Sequence, residues 1–211
     1  MLFVFCVLYI AMSFVFMGAT SPYRVVIDPG HGGIDGGVTG RILKLKESQL
    51  NLEIAHLLRY ELITRGVDVT MTRDGIRGLA SSDAPHKQRD DLTKRKRVIE
   101  SVKPDLVVSI HMNNFLADHS VKGLQVFYHS DIKEGKGKDF AVKIQESLNH
   151  LNEREKHARP GDYYILETAF PSVIIECGFL SNADDEKKLG DKGYQKKLAA
   201  EIADAIMETL G

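Results

Sequence analysis

The chain has only two cysteines, Cys6 and Cys177, at opposite ends of its 211 residues. The part beyond the apolar N-terminus therefore holds one thiol and makes no internal disulfide, which neither requires nor excludes an oxidising compartment. An excess of one charge is also lacking. The 28 Lys and Arg residues face 29 Asp and Glu, for a formal net charge of -1. Such a balance gives no global electrostatic footprint for nucleic acid, and none is expected as a partner. The one basic run, Lys94-Arg95-Lys96-Arg97, reads as the solvated face of a helix. Internal repeats, low-complexity stretches and a second domain are missing. So are the GxGxxG and GxxxxGK[ST] phosphate cradles and the compact HExxH metal signature.

What is present suits one folded domain. Hydrophobic residues make up 43% and charged residues 27%, ordinary values for a soluble domain with a real core. Leu2 to Ala19 carries no charge, and the first charged side chain is Arg24. As a helix it would span roughly 27 Å, close to the apolar thickness of a bilayer. It reads as an uncleaved anchor or as a signal peptide cut near Ala19-Thr20-Ser21, although the basic n-region common in signals is missing. A buried core helix is the weaker reading, because the run has no polar face. The expected division is an apolar signal or anchor over residues 1–20 and a folded domain over 22–211. Membrane contact is expected only through residues 2–19.

From Arg24 onward, strand and helix patterns alternate. Arg24 to Ile27 is a β-branched run stopped by Asp28-Pro29-Gly30, and a glycine-rich loop follows to Gly40. Leu50, Ile54, Leu57, Leu58 and Leu62 recur at helical spacing. Val67 to Met71 reads as a strand, and Asp74 to His86 as a long loop. A charged helix is expected from about Asp90 to Val102, and a buried strand from Leu106 to Ile110. Another strand is expected over Gly123 to Tyr128, then a helix near Lys138 to Leu151. Ser172 to Ile175 reads as a strand ending at Glu176, and Tyr194 to Leu210 as an amphipathic helix. Alternation of this kind predicts a single three-layer α/β domain with a mixed, mainly parallel sheet between helices. Sites in such sheets form at the carboxyl ends of strands, which selects Asp28 to His31, His111 to Asn114 and Glu176 to Gly178.

Each of these residues has an ordinary explanation beside the chemical one. A lone histidine at a strand tip, such as His111, is more often a core residue, but Asn113 and Asn114 beside it favour a polar site. Glu47 opens a helix, where an acid complements the dipole; its interest is that it follows the His31 loop. Asp28 is near enough in sequence to orient the His31 ring. Glu176 ends an apolar run, and a carboxylate there is costly unless it is paired, metal-bound or used. Cys177 beside it could be a nucleophile, but its apolar setting suits an inert buried thiol better. Two histidines and a carboxylate with one position left for water form a common catalytic zinc set. A second carboxylate would then serve as general base and later as proton donor.

The segments Val26 to Gly33, Glu47, Ser109 to Asn113, Pro171 to Glu176 and Gly178 to Asn182 together resemble the zinc-dependent N-acetylmuramoyl-L-alanine amidases of the amidase-3 type. The likeness runs from Arg24 nearly to the end of the chain. It implies an α/β fold with about six strands, and one Zn2+ bound by His31, Glu47 and His111. It also implies Glu176 as the catalytic carboxylate and peptidoglycan as substrate. Thr72-Arg73-Asp74 and Leu92-x-x-Arg95 fit the same pattern, with Asp28, Arg95 and Asn113 as substrate contacts or structural supports. Met112 departs from it, standing where the family often has alanine. Arg159 to Leu166, the single apolar N-terminal segment and the absence of wall-binding repeats resemble the sporulation and germination-specific subgroup. That likeness implies action on spore cortex in preparation for muramic lactam. It also implies an extracytoplasmic location, secreted or anchored, as in the intermembrane space of the forespore. The inhibitory helical insertion of some relatives has no counterpart after Arg73, so regulation falls to an activator protein or to expression timing. Two other readings stand beside it: a zinc peptidase or carboxypeptidase acting on wall peptides, and a non-catalytic wall-binding protein, which would be expected to have lost a ligand or Glu176.

Overall fold

A computed structural model describes residues 22–130 and 136–211. The expected apolar segment over residues 1–20 lies outside the described residues. Among the described residues, no helix is long and apolar enough to cross a membrane.

Among the described residues, six strands form one sheet in the order β2-β1-β3-β6-β4-β5. They are β1 (Arg24–Pro29), β2 (Asp68–Met71), β3 (Leu106–Asn113), β4 (Gln125–His129), β5 (Arg159–Gly161) and β6 (Ser172–Phe179). Only β4 and β6 pair antiparallel; β1 with β2, β1 with β3, β3 with β6 and β4 with β5 run parallel. The central strands are apolar runs because helices cover both of their faces. Among the described residues these are α1 (Glu47–Thr64), α2 (Lys87–Val102), α3 (Lys136–Leu148), α4 (Ala183–Gly190) and α5 (Lys192–Leu210).

Strand side chains alternate between faces, and here the alternation divides the core. Val25, Ile27, Val108, Ile110, Val173 and Ile175 join the large cluster that includes Leu50, Ile54, Leu58 and Leu62 of α1 and Leu198 and Ile202 of α5. Val26, Val107 and Ile174 point the other way, packing with Ile99 of α2 and with Ile165 and Leu166. Continuing that second parity along the strands reaches Asp28 on β1, Ser109 and His111 on β3, and Glu176 on β6. The polar residues singled out by the sequence thus share the face covered by α2.

Several boundaries differ from expectation. β6 does not end at Glu176 but continues to Phe179, so Glu176 is mid-strand and held on both sides by pairing. α2 begins at Lys87, ahead of the expected Asp90. α4 and β5 have no counterpart among the expected elements. The basic run is not uniformly solvated: Arg95 is 1% exposed, facing the sheet while Arg97 faces water.

Candidate metal centre

The turn after β1 is pinned to the neighbouring strand, with the Gly30 N–H donating to the Ile110 carbonyl at 3.0 Å. The next residue, His31, adopts φ +59°, a left-handed conformation that side-chain-bearing residues seldom take. The turn aims its imidazole at the start of α1. There Glu47 Oε1 lies 3.1 Å from His31 Nε2 and 3.1 Å from His111 Nδ1. The two imidazoles meet edge to face with centroids 5.0 Å apart. One ligand atom from each of the three residues lies within 4.8 Å of the others. Glu47 is fixed in turn by the N–H groups of Val38, at 2.9 Å to Oε2, and Met112, at 3.2 Å to Oε1.

Two glycines make this approach possible. A β-carbon at Gly30 would overlap the His111 ring, and one at Gly37, where φ is +64°, would overlap Glu47. The electrostatics match the geometry. Burial disfavours a charged Glu47, but the two histidines outweigh it and hold the carboxyl well below the usual range. Burial likewise opposes a charged His31, yet Glu47 and then Asp35 push it up to about 9. Two imidazole nitrogens gathered on a buried carboxylate are the donor chemistry that a catalytic zinc ion takes, with further coordination left to water or substrate. The residues therefore fit such an ion.

Glu176 stands beside this set. Its register partner on the parallel neighbour strand is His111, so both side chains rise from the same face of adjacent strands. It is 8% exposed, and its Oε2 atom has no hydrogen-bond partner among the described residues. Burial pushes its carboxyl up to about 7, with His111 opposing, Glu47 reinforcing and His31 opposing. An acid that exchanges its proton near neutrality is suited to proton transfer.

The expectation that Asp28 orients the His31 ring is not met. Its carboxylate faces the sheet interior and accepts from Thr72 Oγ1 at 2.5 Å, Ser109 Oγ at 2.7 Å and Arg95 Nη1 at 2.9 Å. Burial opposes its charge, but Arg95 and the two hydroxyls hold it below its usual value. Asp35 takes the place beside the ring, with Oδ2 3.0 Å from His31 Nδ1. Arg95 turns out to grip the backbone of the turn, donating to Pro29 O at 2.7 Å and His31 O at 2.5 Å, while Asp91 steadies its Nε at 2.5 Å. Arg73 grips the same turn from the other side, through Pro29 O and Gly30 O, both at 2.8 Å. Asn113 is not among the residues lining the cleft; its side-chain oxygen accepts the Asn114 N–H at 2.8 Å. Cys177 is 2% exposed, and burial drives its thiol far above the ordinary range.

His31, His111 and Glu176 open into a cleft of about 670 Å³. One wall is the segment around Arg77 to Ser82 with the first turns of α2, and the other is Asp162 to Ile165. A family model described as N-acetylmuramoyl-L-alanine amidase matches residues 25–208. The chain belongs to this amidase family. The germination-specific N-acetylmuramoyl-L-alanine amidase of Bacillus subtilis is 34% identical over 189 residues, covering 87% of this chain and 78% of that protein. The CwlD amidase of Clostridioides difficile, solved in complex with the GerS lipoprotein, superposes with a TM-score of 0.83 at 33% identity, covering 89% of this chain and 98% of the other. The catalytic domain of the CwlV amidase from Bacillus (Paenibacillus) polymyxa gives 0.77 at 30% identity, covering 89% and 98%. The likeness to the germination-specific subgroup noted in the sequence is supported by the first two of these.

Within this amidase, sequence reading passed over Asp35 and Asn51. Asp35 had a signal, since it follows His31 by four residues in a loop otherwise rich in glycine. Asn51 follows Glu47 by one helical turn and donates to Gly30 O at 3.1 Å, a role visible only once the loop lies over α1.

Proposed function

We propose that this amidase hydrolyses the bond between the lactyl group of N-acetylmuramic acid and the L-alanine of the stem peptide, with one zinc ion held by His31, Glu47 and His111. The observation that carries the reading is the unpartnered, buried Glu176 carboxyl beside a convergent His, Glu and His set. When bound, the ion supplies Lewis acidity toward the scissile carbonyl and makes water more acidic. Glu176 takes the proton of the attacking water as the new C–O bond forms. It then returns that proton to the departing L-alanine nitrogen as the C–N bond breaks, leaving a lactyl carboxylate and a free peptide amine. Asp35 holds the His31 ring at Nδ1. Arg95 and Arg73 hold the carbonyls of the turn that carries His31, so the ring keeps its position through the cycle. Asp28 supports Arg95 rather than the reaction itself.

The folded unit is residues 22–211, following an N-terminal signal or anchor over 1–20, and it acts outside the cytoplasm. The likeness to the germination-specific relative supports a role on spore cortex, where removal of the peptide precedes muramic lactam formation. The complex of the Clostridioides difficile neighbour with a lipoprotein supports an activating partner of that kind here. Purified protein incubated with peptidoglycan and zinc tests the reading. Mass spectrometry is expected to find free stem peptides beginning with L-alanine, lost on chelation and restored by zinc. Cleavage within the peptide would replace the reading with a zinc peptidase. Zinc uptake without any cleavage, even with a lipoprotein partner present, would leave a binding role.

A further inference from the structure

The cleft carries charges that its own structure leaves unused. Its five carboxylates are Asp28, Asp35, Asp91, Asp162 and Glu176. Asp28 and Asp91 are engaged by Arg95, Asp35 by His31 and Asp162 by the Ser130 hydroxyl. Glu176 alone stands without such a partner. Its cations are engaged differently. Arg95 is consumed by Asp28, Asp91 and the loop carbonyls, whereas the side chains of Arg77 and Lys87 make no hydrogen bond or ion pair within the described residues. Both line the cleft into which His31, His111 and Glu176 open. The backbone before Arg77 is tied to the His31 turn, with Gly33 N donating to Ile76 O at 2.8 Å. Lys87 opens α2 beside Gln88, whose amide reaches Asp35 Oδ2 at 3.4 Å. The α2 N-terminus adds the same sign of potential, because the His86 side chain does not cap it.

A free cation that folding does not need, at the mouth of a reaction cleft, attracts and orients anionic substrate. We propose that Arg77 and Lys87 form a carboxylate-recognition subsite that selects stem peptides carrying a free acid close to the scissile amide. This rests on the amidase reading above. The second residue of the stem is a γ-linked D-glutamate whose α-carboxylate is free unless amidated. It lies one residue beyond the L-alanine whose nitrogen is released, within reach of a cation flanking the site. Exposed Ile34, at 70% exposure, lines the same cleft and offers an apolar contact for the uncharged parts of the substrate.

Two muramoyl-peptides that differ only in this carboxylate, free or amidated, decide the matter. The wild-type protein is expected to favour the free acid in kcat/KM by about fivefold or more, the scale of one partly solvated charge-assisted contact. Arg77→Ala and Lys87→Ala should each lose about fivefold on the free acid, mainly in KM, and almost nothing on the amide. Lys87→Arg should keep the preference. Equal kcat/KM on the two substrates, or variants that lose equally on both, would overturn the subsite while leaving the amidase reading intact. Failure of the amidase reading has a different signature: peptide-internal products, or no products from either substrate, and either would remove the subsite with it.

Discussion

Glu176 is expected to weaken the metal-free protein at neutral pH, and the cost can be measured. The perturbation is Glu176→Gln, which keeps the shape of the side chain and removes its charge. Burial lifts the carboxyl from 4.5 to about 7 in the folded protein. The native state therefore binds this proton more tightly than the unfolded chain does. Wild-type stability should fall as pH rises from about 4.5 to 7, and the penalty should be complete above that window. At about 1.4 kcal/mol per tenfold change in proton affinity, the displacement corresponds to roughly 3 kcal/mol. The glutamine amide also finds no ready partner, which costs about 1–3 kcal/mol at every pH. The informative quantity is thus the pH dependence of the difference, not its absolute size. Urea unfolding of both proteins after chelation, at pH 4 and pH 8, gives it. The variant should gain about 3 kcal/mol relative to wild type between those pH values. His31, pushed up to about 9, stabilises below its unfolded value and loses that contribution as pH rises; it titrates in both proteins and largely cancels. Saturating zinc should shrink the gain, because a nearby dication favours the carboxylate. A stability difference that is flat with pH would refute the claim that burial governs this residue.

Turnover by Glu176→Gln should drop at least about a hundredfold while zinc still binds, read from product release and metal content; full activity in that variant would end its assignment as base. Arg95→Leu removes the partner of buried Asp28 and frees the turn carrying His31, so a loss of about 3–5 kcal/mol in chemical unfolding is expected, with zinc affinity down about 10- to 100-fold. Gly30→Ala drives a methyl group into the His111 ring, and zinc content after dialysis should fall well before the melting temperature does. Native Cys177 should resist alkylation at pH 8, with modification appearing only on unfolding; rapid labelling of active protein would contradict its burial.

Much of this was legible in the residues themselves. The β-branched and apolar runs at Val25, Val107 and Val173 marked the three central strands, and the repeat of Leu50, Ile54, Leu58 and Leu62 marked α1. His31 and His111 stood out because they sat at strand ends, where a parallel sheet gathers a site, whereas Glu47 joined them as a ligand only through the family resemblance. What stayed hidden depended on partners distant in sequence. Asp28 looked like a helper of His31 because only two residues separate them, but strand pleating turns it toward α2 and Arg95. Arg95 stood out only through the Leu92-x-x-Arg95 likeness, since a run of four cations does not by itself reveal which one a helix turns inward. Glu176 looked like a strand end because β-propensity fades at Cys177-Gly178, whereas pairing with β3 carries the strand onward. α4 had local signals that were not used: Asn182 as a cap, accepting from Asp184 N and Asp185 N at 3.0 and 3.1 Å, acids in the first turn and lysines in the last.

The three gathered side chains come from a loop, a helix start and a strand, and no two are neighbours in sequence. An unfolded chain offers no comparable trio. With zinc bound there as proposed and supplied at saturation, cation occupancy at this position counts native molecules. Metal per chain after saturation with zinc would then report the folded fraction without any spectroscopic probe, in a protein that lacks tryptophan.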